Sequence, residues 1–269
     1  MGKGSNRAGG DMLHSDPDTG SRSTDNQQTY SRDDVVDHYV RASELMPAER
    51  YLFPKYVQAG LAVLDVGVGG GRTTPYLAPQ ASRYLGIDYA AAMVEACRRR
   101  FPDLEFAVGD ATHLEGLADA QFDIAIFSFN GIDSIATDEA RIAALAELKR
   151  VVRPSGHIII SSHNARLLAP FPNFEGATPA RKIWRIARAF ARTMVIAPRA
   201  LMSGTFRKGH GYISDRRHGG LRNHVSSPAS VARDAQAAGL RIVERVGGLH
   251  PRRLPAIMNP WDTYVLARR

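Results

Sequence analysis

The chain has 269 residues, 44% of them hydrophobic, with a formal net charge of +8. That apolar content is enough to bury the core of one large α/β domain. One cysteine, Cys97, excludes an internal disulfide and a multi-cysteine zinc site, and no run approaches the roughly eighteen apolar residues of a membrane span. The N-terminus lacks a signal peptide's apolar stretch, so a cytoplasmic protein is expected.

Residues 1–28 are Gly, Ser, Asp, Asn and Gln with almost no apolar content, which predicts a disordered tail ahead of one domain spanning 29–269. From Tyr30 to Gln58, Val35, Val36, Tyr39, Val40, Leu45, Tyr51, Leu52 and Tyr56 recur at helical spacing, giving one or two helices broken near Pro47. Strands and helices then alternate. "LAVLDV" reads as a strand, "TTPYLAPQ" as a helix start, "RYLGID" as a strand and "AAAMVEACRRR" as a helix. "LEFAVGD" and "FDIAIFSF" are two more strands. "TDEARIAALAELKRVV" is an amphipathic helix ended by "RPSG", and "HIIISSH" is a fifth strand. Such alternation implies a parallel sheet covered on both faces. Cys97 falls in a helix and reads as a packed thiol.

Residues 165–226 interrupt the alternation. They carry ten Arg and two Lys against Glu175 and Asp215, a net +10, which leaves −2 for the rest of the chain. This basic insertion contains "TPARKIWRIARAFARTMVIAPRALM". There Ile183, Trp184, Ala187, Phe190 and Met194 lie near one helix face, and Arg181, Arg185, Arg188 and Arg192 on another. A helix of this kind can cap an active site, lie on an anionic membrane or follow a phosphate backbone. A cap over the cleft is the expectation. After it, Ser227 is placed to N-cap a helix with Pro228 first and Gly239 at the exit. "RIVERV" and "DTYVLAR" follow as two strands without room for a helix between them, hence antiparallel.

The chemistry concentrates in "VLDVGVGGGRTT". A phosphate-binding P-loop would need lysine where Arg72 stands and glycine where Val66 stands. The dinucleotide fingerprint accepts Gly67 and Gly69 but fails at Arg72. What remains is Asp65 two residues before Gly67, Gly69 and Gly71, an arrangement suited to a cationic ligand. Asp88 ends the second strand, where an acid accepts hydrogen bonds from ribose hydroxyls. Asp110 ends the third and can meet an adenine amino group. Amino-acid head, ribose and adenine laid across three strand tips describe S-adenosylmethionine.

The ordered set "VLDVGVGGGRTT", "YLGIDYAAAM", "FAVGDATHL", "FDIAIFSFNGID" and "ELKRVVRPSGHIIISSHN" resembles the class I SAM-dependent methyltransferases, from about Tyr30 to Asn164 and again from Ser227. The resemblance implies a Rossmann-like seven-stranded, mostly parallel sheet of order 3-2-1-4-5-7-6 with strand seven antiparallel and helices on both faces. It implies that Asp65, Gly67 and Gly69 hold the methionyl end, with Gly71 and Arg72 completing the loop. Asp88 would take the ribose, Tyr89 and Met93 would flank the adenine, and Asp110 and Ala111 would contact its edge. Phe127, Ser128 and Asn130 would line the sulfonium side.

The acceptor should sit beyond strands four and five, where Asp133, His163 and Asn164 lie. His163 ranks first as a base for a hydroxyl acceptor, with His210, His218 and His224 as competitors. Asp133 and Asn164 lack the second carboxylate of a magnesium site, so no metal is expected. The Asn/Asp-Pro-Pro-Tyr/Phe and Pro-Cys signatures of DNA methyltransferases are absent. The expected function is therefore O-methylation of a small molecule, a sugar or secondary metabolite, with an anionic acceptor compatible with the basic insertion. An RNA methyltransferase and a non-catalytic SAM-binding protein are the alternatives.

Overall fold

The computed structural model describes residues 26–172, 178–202, 204–215 and 221–269. Residues 1–25 of the expected tail, and His218, lie outside them.

Two helices open the fold, α1 (Asp33–Arg41) and α2 (Pro47–Tyr56), divided at Pro47, which occupies the first helical position. The sheet strands are β1 (Ala62–Val66), β2 (Arg83–Asp88), β3 (Glu105–Val108), β4 (Phe122–Phe127) and β5 (Val152–His163). Between them run the short α3 (Thr74–Leu77), α4 (Ala91–Arg100) and α5 (Asp138–Val151). The insertion forms α6 (Pro179–Met202), α7 (Thr205–Lys208) and a hairpin of β6 (His210–Asp215) and β7 (Leu221–Ser226). The chain closes with α8 (Pro228–Ala237), β8 (Leu240–Gly247) and β9 (Trp261–Arg268).

The seven-stranded sheet has the order β3-β2-β1-β4-β5-β9-β8, with β6 and β7 in a separate sheet. Setting that hairpin aside, this is the expected 3-2-1-4-5-7-6. β1 to β5 are parallel, and β9 runs antiparallel against β5, pairing Ile160 with Tyr264. Side chains alternate through the sheet. Leu64, Val66, Ile158 and Ile160 bury toward α5 and α8, with Leu145, Leu148, Val231 and Ala235. Val63, Ile124, Ile126 and Ile159 bury on the other face, with Leu52, Phe53, Val94 and Cys97. The Cys97 thiol is buried, as its helical position implied.

Local capping follows the sequence. Thr137 Oγ1 accepts the Ala140 N–H, and Ser227 Oγ accepts the Ser230 N–H. Gly239 leaves α8 with a φ of 74°.

Two boundaries differ from expectation. "RPSG" does not end in a turn: β5 begins at Val152, which pairs with Phe122, and the register then shifts before Ile124 meets His157. A strand irregularity absorbs the proline and glycine. Residues 26–28, expected to be tail, are helical together with Thr29 and Tyr30. Asn26, only 5% exposed, donates to the Ser134 and Arg222 carbonyls and accepts the Arg222 N–H. One polar side chain satisfying three backbone groups orders a stretch that composition alone makes disordered.

Candidate active site

The glycine loop is shaped by what lies against it. Gly67 has a φ of 61°, and a Cβ there would stand 2.8 Å from the Phe127 ring. At Gly70 a Cβ would stand 2.5 Å from the Tyr39 carbonyl carbon and the Val40 nitrogen, so α1 lies directly on the loop. Arg100 fastens both by donating to the Val40 and Gly70 carbonyls at 3.1 and 2.9 Å. From below, the Cys97 thiol donates to the Gly69 carbonyl at 3.0 Å. Burial pushes that thiol up to about 12, so it is a packing group and not a nucleophile.

Asp88 ties the loop to β2. Its Oδ2 accepts the Gly69 N–H and its Oδ1 the Ala90 N–H, both at 2.9 Å. Burial raises its carboxyl to about 6 against these lowering hydrogen bonds, so it is largely ionised at neutral pH. Above the loop is a cleft of about 570 Å³. Ten of the expected cofactor residues line it: Gly67, Gly69, Asp88, Tyr89, Met93, Asp110, Ala111, Phe127, Ser128 and Asn130. Two buried polar atoms of this lining, Tyr89 OH and Asn130 Oδ1, have no hydrogen-bond partner.

Asp65, Gly71 and Arg72 are not part of the lining. Asp65 Oδ2 accepts from Thr73 Oγ1 at 2.6 Å and Tyr84 OH at 2.9 Å beneath the loop, and burial raises its carboxyl to about 6. Gly71 packs on Phe101 and Cys97, where a Cβ would stand 2.6 Å from the Phe101 ring. Arg72 is buried in a two-pronged ion pair with Glu49, both contacts at 2.7 Å, and donates to the Glu44 carbonyl. Its guanidinium lies 4.7 Å from the Phe129 ring. Glu49 already takes its charge, so Arg72 braces α2 against the loop instead of meeting a ligand.

At the far end of the cleft β4 and β5 bring His163 onto Asp133. His163 Nδ1 lies 2.9 Å from Asp133 Oδ2, and Ser162 Oγ donates to Oδ1 at 2.7 Å. Behind it, the buried Arg141 reaches Oδ1 at 3.2 Å and donates to the Ile132 carbonyl. Burial alone would raise the Asp133 carboxyl, but His163 and Arg141 outweigh it and hold it below its ordinary value. Asp133 therefore stays ionised and orients the ring with Nδ1–H donating. Nε2 faces the cleft beside Asn130 Nδ2 at 3.3 Å. Asn130 and Phe129 both adopt positive φ, 61° and 53°, a conformation costly for non-glycine residues. The Asn130 N–H donating to Ser161 Oγ at 2.7 Å holds the turn.

The profile of a family described as methyltransferase domain matches residues 63–156, the stretch that contains the loop, Asp88 and Asp133. Over that stretch this chain is similar to the class I SAM-dependent methyltransferases. Demethylmenaquinone methyltransferase of Beutenbergia cavernae is 35% identical over 117 residues, which is 44% of this chain and 47% of that protein. The chain thus spans about half the length of the curated relatives it matches. Among solved structures, the CcbJ methyltransferase from Streptomyces caelestis superposes with a TM-score of 0.61 at 18% identity, over 90% of this chain and 98% of that one. A 1,6-didemethyltoxoflavin-N1-methyltransferase of Burkholderia thailandensis, bound to S-adenosylhomocysteine, gives 0.60 at 16% identity, over 96% and 92%. At these identities the likeness is one of fold alone.

Several cleft residues escaped the sequence reading. Tyr30, His38, Tyr39, Met46 and Glu49 reach the cleft from the N-terminal helices, and Trp261 and Thr263 from β9. Tyr30 packs edge-on against Tyr39 at 5.7 Å and Tyr89 at 5.9 Å. The aromatic spacing of 30 and 39 was the available signal, but amphipathic helix packing explains it equally well. Asn164 is spent on ordering a loop: its Nδ2 donates to the Ala256 and Asn259 carbonyls. The insertion meets the cleft through its hairpin residue Asn223, and no residue of α6 lines it. Trp184 and Phe190 on that helix are 58% and 66% exposed. Among the described residues no helix is long and apolar enough to cross a membrane.

Proposed function

We propose that this chain transfers the methyl group of S-adenosylmethionine to a hydroxyl oxygen of a small-molecule acceptor, a sugar or secondary metabolite. The observation that carries the reading is the His163–Asp133 pair opening onto the same cleft as Gly67, Gly69 and Asp88. The cofactor supplies an electrophilic methyl on a cationic sulfur that departs as a neutral thioether.

The chain's residues fit that group. Asp88 is a largely ionised carboxylate that would accept from the ribose hydroxyls, and Tyr89 and Met93 line the cleft where the adenine would lie. Asp110 and Ala111 meet its edge, and Phe127, Ser128 and Asn130 border the sulfonium side. Gly67 and Gly69 allow backbone to approach the methionyl end, while Asp65 and Asp88 keep the loop's surroundings negative for a cation. The unpartnered Tyr89 OH and Asn130 Oδ1 are buried polar atoms that a bound molecule would satisfy. His163 accepts the acceptor's hydroxyl proton at Nε2 as the oxygen bonds the methyl carbon, and Asp133 stabilises the resulting imidazolium. Alignment and exclusion of water supply the remainder, several kcal/mol of the barrier by order of magnitude.

Incubation with methyl-labelled cofactor against sugar, metabolite and RNA pools tests the reading. Label on a small-molecule hydroxyl, lost in His163→Ala, supports it. Label on nitrogen or carbon with an unaffected His163→Ala variant overturns the oxygen assignment, and absence of turnover with intact cofactor binding favours a non-catalytic binder.

One observation favours RNA instead. α6 carries Arg181, Lys182, Arg185, Arg188, Arg192 and Arg199, no acid, and no buried residue. RNA bound along it would lose affinity steeply with salt, with a log–log slope of about −0.7 per contacted phosphate. The curated relatives named for demethylmenaquinone weigh toward a small acceptor.

A further inference from the structure

The β6–β7 hairpin brings a second cluster of chemical groups against α5, separate from the His163 ring. The register pairs His210 with Ser226 and Tyr212 with His224, so all four side chains share one hairpin face. That face meets Asp138, the first residue of α5. His224 Nε2 lies 3.2 Å from Asp138 Oδ1, and His210 Nδ1 lies 3.5 Å from Asp138 Oδ2. Candidate ligand atoms of the three residues all fall within 4.8 Å of one another.

His224 is only 1% exposed, yet among the described residues its Nε2 finds no hydrogen-bond partner, and neither does Asp138 Oδ1 across from it. Two buried polar atoms 3.2 Å apart and not bonded to each other point to a shared third partner. We propose that Asp138, His210 and His224 form a binding site for a divalent transition metal, Zn²⁺ in the first place. Two imidazole nitrogens and one carboxylate are a common donor set for such ions. Bonds of about 2.0–2.1 Å in a tetrahedral arrangement put ligand atoms roughly 3.3 Å apart, close to the two spacings observed.

The surroundings support the assignment. His224 Nδ1 lies 3.0 Å from Ser226 Oγ, so an Nδ1–H donated to that oxygen turns the Nε2 lone pair toward the metal. The Arg141 guanidinium donates to Ser226 Oγ at 3.3 Å and is paired with Asp133. His210, 29% exposed, and the half-buried Asp138 leave a path for the ion from solvent.

The metal would pin the hairpin to α5 and fix Asn223 at the cleft. It would also brace a chain of contacts running from His224 through Ser226 and Arg141 to Asp133 and His163. Sequence reading gave no hint of it, because positions 138, 210 and 224 are scattered and two belong to the insertion.

The test is calorimetric titration of the chelator-treated full chain with ZnCl₂, with CoCl₂ added in parallel and its visible absorption recorded. The expected result is one Zn²⁺ per chain and an intense tetrahedral cobalt spectrum. His210→Ala, chosen because its side chain is partly exposed, should weaken binding more than the ten- to hundredfold typical of losing an outer-shell partner. His224→Gln should do the same, with binding of S-adenosylhomocysteine checking that each variant is folded. No Zn²⁺ uptake by the wild-type chain, or uptake unchanged in folded His210→Ala, would overturn the site.

Discussion

Asp133 Oδ2 lies 2.9 Å from His163 Nδ1 and also accepts the His163 backbone N–H at 2.6 Å. One carboxylate oxygen thereby fixes both the end of β5 and the plane of the ring it carries. The reactive nitrogen is aimed by a buried anion whose own charge is balanced by Arg141.

Removing the ring should therefore affect chemistry and spare cofactor binding. His163→Ala is expected to cut hydroxyl methylation by about 10²–10⁴ with affinity for S-adenosylmethionine nearly unchanged. Steady-state kinetics and calorimetry on one preparation check both halves. Near-normal turnover would move the base to another group.

The buried Arg72–Glu49 pair predicts a different outcome. Arg72→Ala leaves the Glu49 carboxylate buried without its partner, which should cost about 3–5 kcal/mol of stability. Denaturant unfolding measures it. A stable variant that instead loses cofactor affinity would restore Arg72 to the binding role its place in the loop first implied.

Gly70→Ala tests the contact between α1 and the loop. The new Cβ would meet main-chain atoms of Tyr39 and Val40 at 2.5 Å, and backbone cannot swing aside as a side chain can. A destabilisation of about 1–3 kcal/mol is expected, with weaker cofactor binding as Tyr39 shifts from the cleft.

Asp65 and Asp88 give a pH signature. Burial raises both from an ordinary value of 3.8 to about 6. Between those limits the native chain holds protons that the unfolded chain has released, so the contribution of these two groups to stability falls as pH rises. Cofactor affinity should move the other way, rising as Asp88 ionises and becomes a full acceptor. Asp88→Asn should flatten both trends in unfolding and titration experiments run from about pH 4.5 to about pH 7.5.

Much of this was legible in the chain. Strand alternation, the Thr137 and Ser227 caps and the apolar stripe of α5 are local signals, and each local choice agrees with the fold. Gly67, Gly69 and Asp88 were legible because a tight turn and a strand-tip acid leave a mark in sequence. Arg72, Asp65 and Gly71 lie off the cleft's lining, because motif position says which residues are near the loop, not which side of it they face. Tyr30, Tyr39, Trp261 and Thr263 enter the cleft through long-range packing, and the α6 pattern fixed a helix without fixing what it touches.

The most direct test of the account is calorimetric titration of the full chain with S-adenosylhomocysteine and, separately, with NAD. The account predicts stoichiometric binding of S-adenosylhomocysteine and no heat with NAD. It also predicts that Asp88→Ala weakens the former by about 1.5–3 kcal/mol, roughly ten- to hundredfold, through lost charge-assisted ribose contacts. Binding of NAD without binding of S-adenosylhomocysteine would contradict it.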